Sequence, residues 1–89
     1  MPVILDGSLM KDRASVHAQL QDRLQLPAYY GRNLDALFDL LTEWSKPTEI
    51  LFVRWGAVEA NLGLYAEALG ETLLDAAKAN PNLHVTIEK

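Results

Sequence analysis

Ile50-Leu51-Phe52-Val53 is apolar at all four positions and rich in β-branched and aromatic side chains. Such a run reads as a strand covered on both faces, hence central in its sheet or parallel to its neighbours. Upstream, Val3-Ile4-Leu5 is a shorter apolar strand closed by the turn pair Asp6-Gly7. Downstream, Leu83-His84-Val85-Thr86-Ile87 alternates apolar and polar residues as a third strand. The intervals between them carry helical spacing. Asp12 or Ser15 can cap a first helix in which Val16, Leu20 and Leu24 recur every four residues, and Leu26-Pro27 ends it. After an aromatic loop, Tyr29-Tyr30-Gly31, Asn33 suits the N-cap of a second helix from about Leu34 to Trp44, and Lys46-Pro47 breaks the chain again.

Gly56 to Leu64 is ambiguous and compatible with a short helical turn. A longer helix from Tyr65 to Ala79 carries Leu69, Leu73 and Ala77 with Leu74 beside them, and Asn80-Pro81-Asn82 stops it. Helical crossovers thus join every pair of strands, which requires a parallel sheet with right-handed connections. The expected fold is α/β: a small three-stranded parallel β-sheet with three to four helices packed against it, in a single domain spanning residues 1–89.

The chain has 89 residues, 49% of them hydrophobic, enough for one real core. With no cysteine, disulfides, thiolate metal sites and thiol catalysis are excluded. The N-terminal run Met1-Pro2-Val3-Ile4-Leu5-Asp6 lacks the basic region of a signal peptide, and no stretch approaches the roughly 20 apolar residues of a membrane span. A cytoplasmic location without membrane contact is expected. Eight Lys and Arg against twelve Asp and Glu give a net charge of −4. That balance argues against direct nucleic-acid binding, which needs cations facing phosphates, and for a cationic protein partner.

The second helix carries the functional signal. At 100° per residue, Leu34, Leu37, Leu41 and Trp44 form a core-facing stripe flanked by Leu40. Asp35, Asp39, Thr42 and Glu43 fall on the opposite side, with Phe38 at the border. Asp35, Asp39 and Glu43 stand at i, i+4 and i+8, all of one sign, and no Lys or Arg occurs from Asn33 to Trp44. Like charges at that spacing cost a helix about 0.2–0.5 kcal/mol per pair, and Glu43 sits at the wrong end of the helix dipole. A solvated polar face without lysine is the plain reading of the row taken alone. Phe38, with Tyr29 and Tyr30 nearby, adds the aromatic anchors of a protein interface, although one tyrosine of the pair is expected to plug the loop. Successive carboxylates on the row rise by about 6 Å, comparable with neighbouring phosphates on a single strand.

The segment Leu26-Pro27-Ala28-Tyr29-Tyr30-Gly31-Arg32-Asn33-Leu34-Asp35-Ala36-Leu37-Phe38-Asp39-Leu40-Leu41-Thr42-Glu43-Trp44 closely resembles the core motif of the barstar family of ribonuclease inhibitors. The likeness extends over the whole chain in length, strand positions, the Asp6-Gly7 turn and the late Ala77-Lys78-Ala79 helix end. The resemblance implies a parallel three-stranded sheet and reversible inhibition of a basic, secreted, guanyl-specific endoribonuclease by a monomer in a 1:1 complex, protecting a bacterial cell. It implies that Tyr29, Asn33, Asp35, Asp39 and Thr42 contact the nuclease, with Asp39 in its phosphate site, Asp35 facing a second basic group and Tyr29 packed on the catalytic region. Phe38 joins them as an aromatic anchor, standing where the best-known pattern has an indole. Arg32 stands where an acid can occur. Ala76 occupies the place from which the last helix can supply another acid, and Asp75, about 100° away from it, is not expected to take that role.

Catalysis by Asp35 and Asp39 is disfavoured because nothing on an exposed helix face raises one carboxyl pKa above the other. There is no Ser-centred elbow, Gly-rich phosphate loop or His-Glu-x-x-His segment, and no cofactor is called for. His17 and His84 lie in separate elements without companion ligands, so packing and surface roles are expected of them rather than metal binding. Trp55 reads as structural, and Trp44 as a partly buried packing residue. The alternative to a ribonuclease inhibitor is a module of the same fold serving as immunity protein against a different toxin, or as an adaptor for a non-nuclease client.

Overall fold

The computed structural model describes residues 2–89, leaving only Met1 outside. Three strands, β1 (Val3–Asp6), β2 (Thr48–Val53) and β3 (Leu83–Ile87), form one parallel sheet in the order β1-β2-β3. Ile50 pairs with Val3 on one side and Val85 on the other, and Phe52 with Leu5 and Ile87. β2 is therefore central and parallel, as its apolar run requires.

Its two faces differ. Ile50 and Phe52 are wholly buried, together with Leu5 and Leu83 on the same side of the sheet. The other side carries Ile4, Leu51, Val53, His84 and Thr86, and none of these is fully buried. The expectation of coverage on both faces is corrected here. Leu51 lies between Ile4 and Thr86 in the paired register, so cross-strand neighbours give it partial shelter without a second helical layer.

Four helices connect the strands: α1 (Arg13–Leu24), α2 (Leu34–Thr42), α3 (Trp55–Leu62) and α4 (Leu64–Ala79), with a 3₁₀ turn at Gly7–Leu9 after β1. Both candidate caps of α1 are used. Asp12 accepts from the Ser15 N–H at 2.8 Å, and the Ser15 hydroxyl accepts from the Asp12 N–H at 3.0 Å, a reciprocal capping box. Gln25, left-handed at φ 55°, ends the helix before Leu26-Pro27. The ambiguous stretch after β2 is a helix of two turns, entered through left-handed Arg54 at φ 57°.

The phase of α4 differs from the expected one. Its buried residues are Ala66, Leu69, Gly70, Leu73 and Ala76, while Leu74 is exposed and Ala77 only half-buried. Close approach explains the rotation: a Cβ on Gly70 would lie 3.1 Å from Cζ2 of Trp55, which itself packs edge-to-face on Phe52 at 4.8 Å between ring centroids. Gly70 lets α4 press onto the Trp55 ring, and close packing outweighs the transfer energy lost by leaving Leu74 in solvent.

Candidate functional site

Asn33 sets the start of α2, its Oδ1 accepting from the Ala36 N–H at 2.8 Å and its Nδ2 donating to the Gly31 carbonyl at 3.2 Å. The helix ends at Thr42, two residues before the expected Trp44. The cause lies far along the chain. Buried Asn80 donates from Nδ2 to the carbonyls of Leu41 and Trp44, each at 2.8 Å, and Asn82 adds a bond to Trp44 at 3.3 Å. These side chains satisfy backbone acceptors that a further helical turn would otherwise use. Trp44, half-buried, donates from its indole to the Thr48 hydroxyl at 2.7 Å.

Leu37 and Leu41 are wholly buried, and Leu34, Phe38 and Leu40 partly so. Asp35, Asp39 and Glu43 are exposed. Among the described residues the ion pairs are Arg54–Asp6 and Lys89–Glu59, so no Lys or Arg of this chain lies within 4.0 Å of a carboxylate of α2. Thr42 is half-buried, its hydroxyl donating to the Asp39 carbonyl at 3.1 Å.

The preceding loop is positioned by a buried imidazole. His17 of α1, 2% exposed, has Nδ1 at 2.5 Å from the Tyr30 hydroxyl and Nε2 at 2.6 Å from the Tyr65 hydroxyl of α4. A neutral ring donates from one nitrogen and accepts at the other, so both tyrosines are satisfied without a charge. Burial, aided by the nearby Arg32 cation, holds the His17 pKa below its ordinary value. Burial likewise raises the phenol pKa of Tyr30 and of Tyr65. Tyr30 is thus the loop plug at 5% exposure, while Tyr29 stands 81% exposed beside α2.

Two further acids come from α4. A cleft of about 610 Å³ between α2 and α4 is lined by Leu34, Asp35, Phe38, Asp39, Ala68, Glu71, Thr72 and Asp75. Ala76, where the resemblance allows an acid, is wholly buried. Asp75 lines the cleft, and Glu71 one helical turn earlier joins it, contrary to the orientation expected of Asp75. The signal in the sequence is the i, i+4 pair Glu71 and Asp75, legible once α4 is phased on Gly70 and Ala76. The arrangement brings four carboxylates around half-buried Phe38, with Tyr29, Asn33 and Thr42 on the same loop and helix. Among the described residues no group of three or more His, Asp or Glu side chains could hold a metal ion, and no helix is long and apolar enough to cross a membrane. His84 is exposed on β3 and Trp55 is buried in the core.

Comparison with known proteins follows the same lines. The chain is 37% identical over 75 residues to the "Putative ribonuclease inhibitor YrdF" of Bacillus subtilis (strain 168), an alignment covering 83% of this chain and 82% of that protein. The family described as Barstar (barnase inhibitor) matches residues 1–88, and with a match over nearly its whole length the chain belongs to the barstar family.

Proposed function

We propose that the chain inhibits a basic, guanyl-specific ribonuclease by seating the acidic face of α2, with Tyr29 in front of it, in the enzyme's active site. The observation that carries this reading is a helix face bearing Asp35 and Asp39, both exposed and, among the described residues, with no Lys or Arg within 4.0 Å of either carboxylate. Folding gains from Asp35 alone, in the first turn of α2, and not from the repetition of like charge along the row, whereas a cationic cleft gains from covering all of it. Family membership and the name carried by the B. subtilis relative support a ribonuclease as the client.

Within this reading, Asp39 enters the phosphate site and Asp35 meets a second cation about 6 Å along the helix. Phe38 and Tyr29 supply apolar contact area, and Asn33 and Thr42 border the contact. Asn33 does so while capping the helix, so its exchange affects folding and binding together. Glu71 and Asp75 take the place of the acid that the last helix supplies elsewhere in the family. The inhibitor acts as a cytoplasmic monomer in a 1:1 complex and needs no cofactor. It blocks substrate by occupying the phosphate sites and performs no chemistry of its own.

Titration of a purified barnase-type ribonuclease with the chain, followed by RNA cleavage at several salt concentrations, tests the proposal. Cleavage should stop near one equivalent, and association should slow as salt rises, because charges at the rim are screened over about 8 Å at 0.15 M. Undiminished cleavage at large excess of the chain, across a range of such enzymes, refutes it.

A further inference from the structure

Arg13 and Arg32 stand at a shallow cleft of about 310 Å³ whose other walls are Asn33, Leu34, Asp35 and Tyr65. Among the described residues neither guanidinium lies within 4.0 Å of a carboxylate. Each is held by an uncharged group instead. Arg32 donates from Nε at 3.2 Å and from a terminal nitrogen at 3.0 Å to the Gln21 side-chain carbonyl. The Arg13 guanidinium lies over the Tyr65 ring, 4.3 Å from its centroid. Neutral anchors fix the position of a cation without cancelling its charge. The Arg32 backbone is held at φ 55°, in the left-handed region that side-chain-bearing residues rarely adopt. One end of the acidic face therefore carries two cations that share a cleft with Asp35 and, among the described residues, have no carboxylate within 4.0 Å.

We infer that this cleft receives an aspartate or glutamate side chain of the ribonuclease partner and so decides which ribonucleases the chain accepts. The inference rests on the inhibitor reading above. Asn33 and Asp35 line the cleft and also belong to the proposed contact face, so a partner that covers Asp35 covers the two arginines as well. A partner surface that is cationic throughout leaves Arg13 and Arg32 facing like charge, which is a rejection device. One carboxylate set among the partner's cations removes that conflict, and the planar guanidinium fork matches a carboxylate with two parallel hydrogen bonds. A free multivalent anion fits less well, because Asp35 shares the cleft and a small anion brings no cation to cover it.

Affinity is measured by inhibition titration for the wild type, Arg13→Gln, Arg32→Gln, the charge-keeping Arg32→Lys and Asp39→Asn, after urea unfolding has shown that the variants fold alike. The probes are purified barnase-type ribonucleases, each prepared also with its acidic residues beside the active site exchanged singly for amides. Against the enzyme bound most tightly, each Gln variant should lose about tenfold or more, and Arg32→Lys less. One acid-to-amide exchange in the ribonuclease should abolish the difference between wild type and Arg32→Gln. If the Gln variants bind equally well or better while Asp39→Asn weakens binding, the carboxylate inference is overturned and the inhibitor reading stands. If Asp39→Asn also leaves inhibition intact, or the wild type inhibits none of the enzymes, the inhibitor reading fails and takes the inference with it. Saturation of the Arg13 and Arg32 side-chain NMR signals of the free protein by inorganic phosphate makes the cleft a small-anion site and overturns the inference separately.

Discussion

Acidification should loosen the structure through His17. The imidazole is 2% exposed, and its two ring nitrogens bond Tyr30 and Tyr65. A proton on the ring turns its acceptor nitrogen into a donor, so one tyrosine must reorient while a charge sits in the core beside the Arg32 cation. Burial lowers the folded pKa, whereas the unfolded chain takes up its proton near 6.5. The unfolded state then binds more protons below that pH. The stability tied to neutral His17 is complete above 6.5 and is lost as pH falls toward the folded pKa. One proton changes stability by at most about 1.4 kcal/mol per pH unit below 6.5, so the loss between pH 7.5 and 5.0 has a ceiling of about 2 kcal/mol. The carboxyls with lowered pKa act elsewhere. Asp6 is held down chiefly by the Ser8 hydroxyl and Asp12 by the Ser15 N–H, and both lose their contributions below the ordinary 3.8. Urea unfolding of wild type and His17→Gln at pH 7.5, 6.5, 5.8 and 5.0 measures the effect. The wild type should lose stability across the series, and the variant, less stable at pH 7.5, should be nearly flat. Equal slopes in the two proteins, or a flat wild type, refute the reasoning.

Three other substitutions separate folding from binding. Leu37→Ala empties a wholly buried position of α2 and should cost about 2–5 kcal/mol in urea unfolding. Asn80→Ala strips the carbonyls of Leu41 and Trp44 of a buried donor and should cost about 2–3 kcal/mol, with faster amide exchange at the end of α2. Tyr29→Ala removes an exposed ring; unfolding should change by no more than about 0.5 kcal/mol while ribonuclease inhibition weakens.

The sheet was legible in the sequence because apolar β-rich runs separated by helical intervals admit one simple solution, parallel pairing through crossovers. The exposed row of α2 was legible too, since N-cap and periodicity fix its phase locally. The sequence did not reveal what depends on residues distant along the chain. Tyr29 and Tyr30 are identical neighbours, and only the position of His17 in space decides which is buried. The end of α2 is set by Asn80, 36 residues after Trp44. In α4, leucine outweighs glycine on any hydropathy argument, but Gly70 must face Trp55, and that steric demand turns Leu74 outward and Asp75 toward α2. Glu71 and Asp75 entered the candidate site only through that rotation.

The most direct measurement is the affinity of Asp39→Asn for a ribonuclease that the wild type inhibits, taken beside its unfolding free energy. Binding should weaken by at least about 2 kcal/mol, the general threshold for interface hot spots (a scale to which the barnase–barstar pair has itself contributed), with stability unchanged. Undiminished affinity, or a loss of folding that accounts for the loss of binding, would contradict a role for the exposed acids of α2.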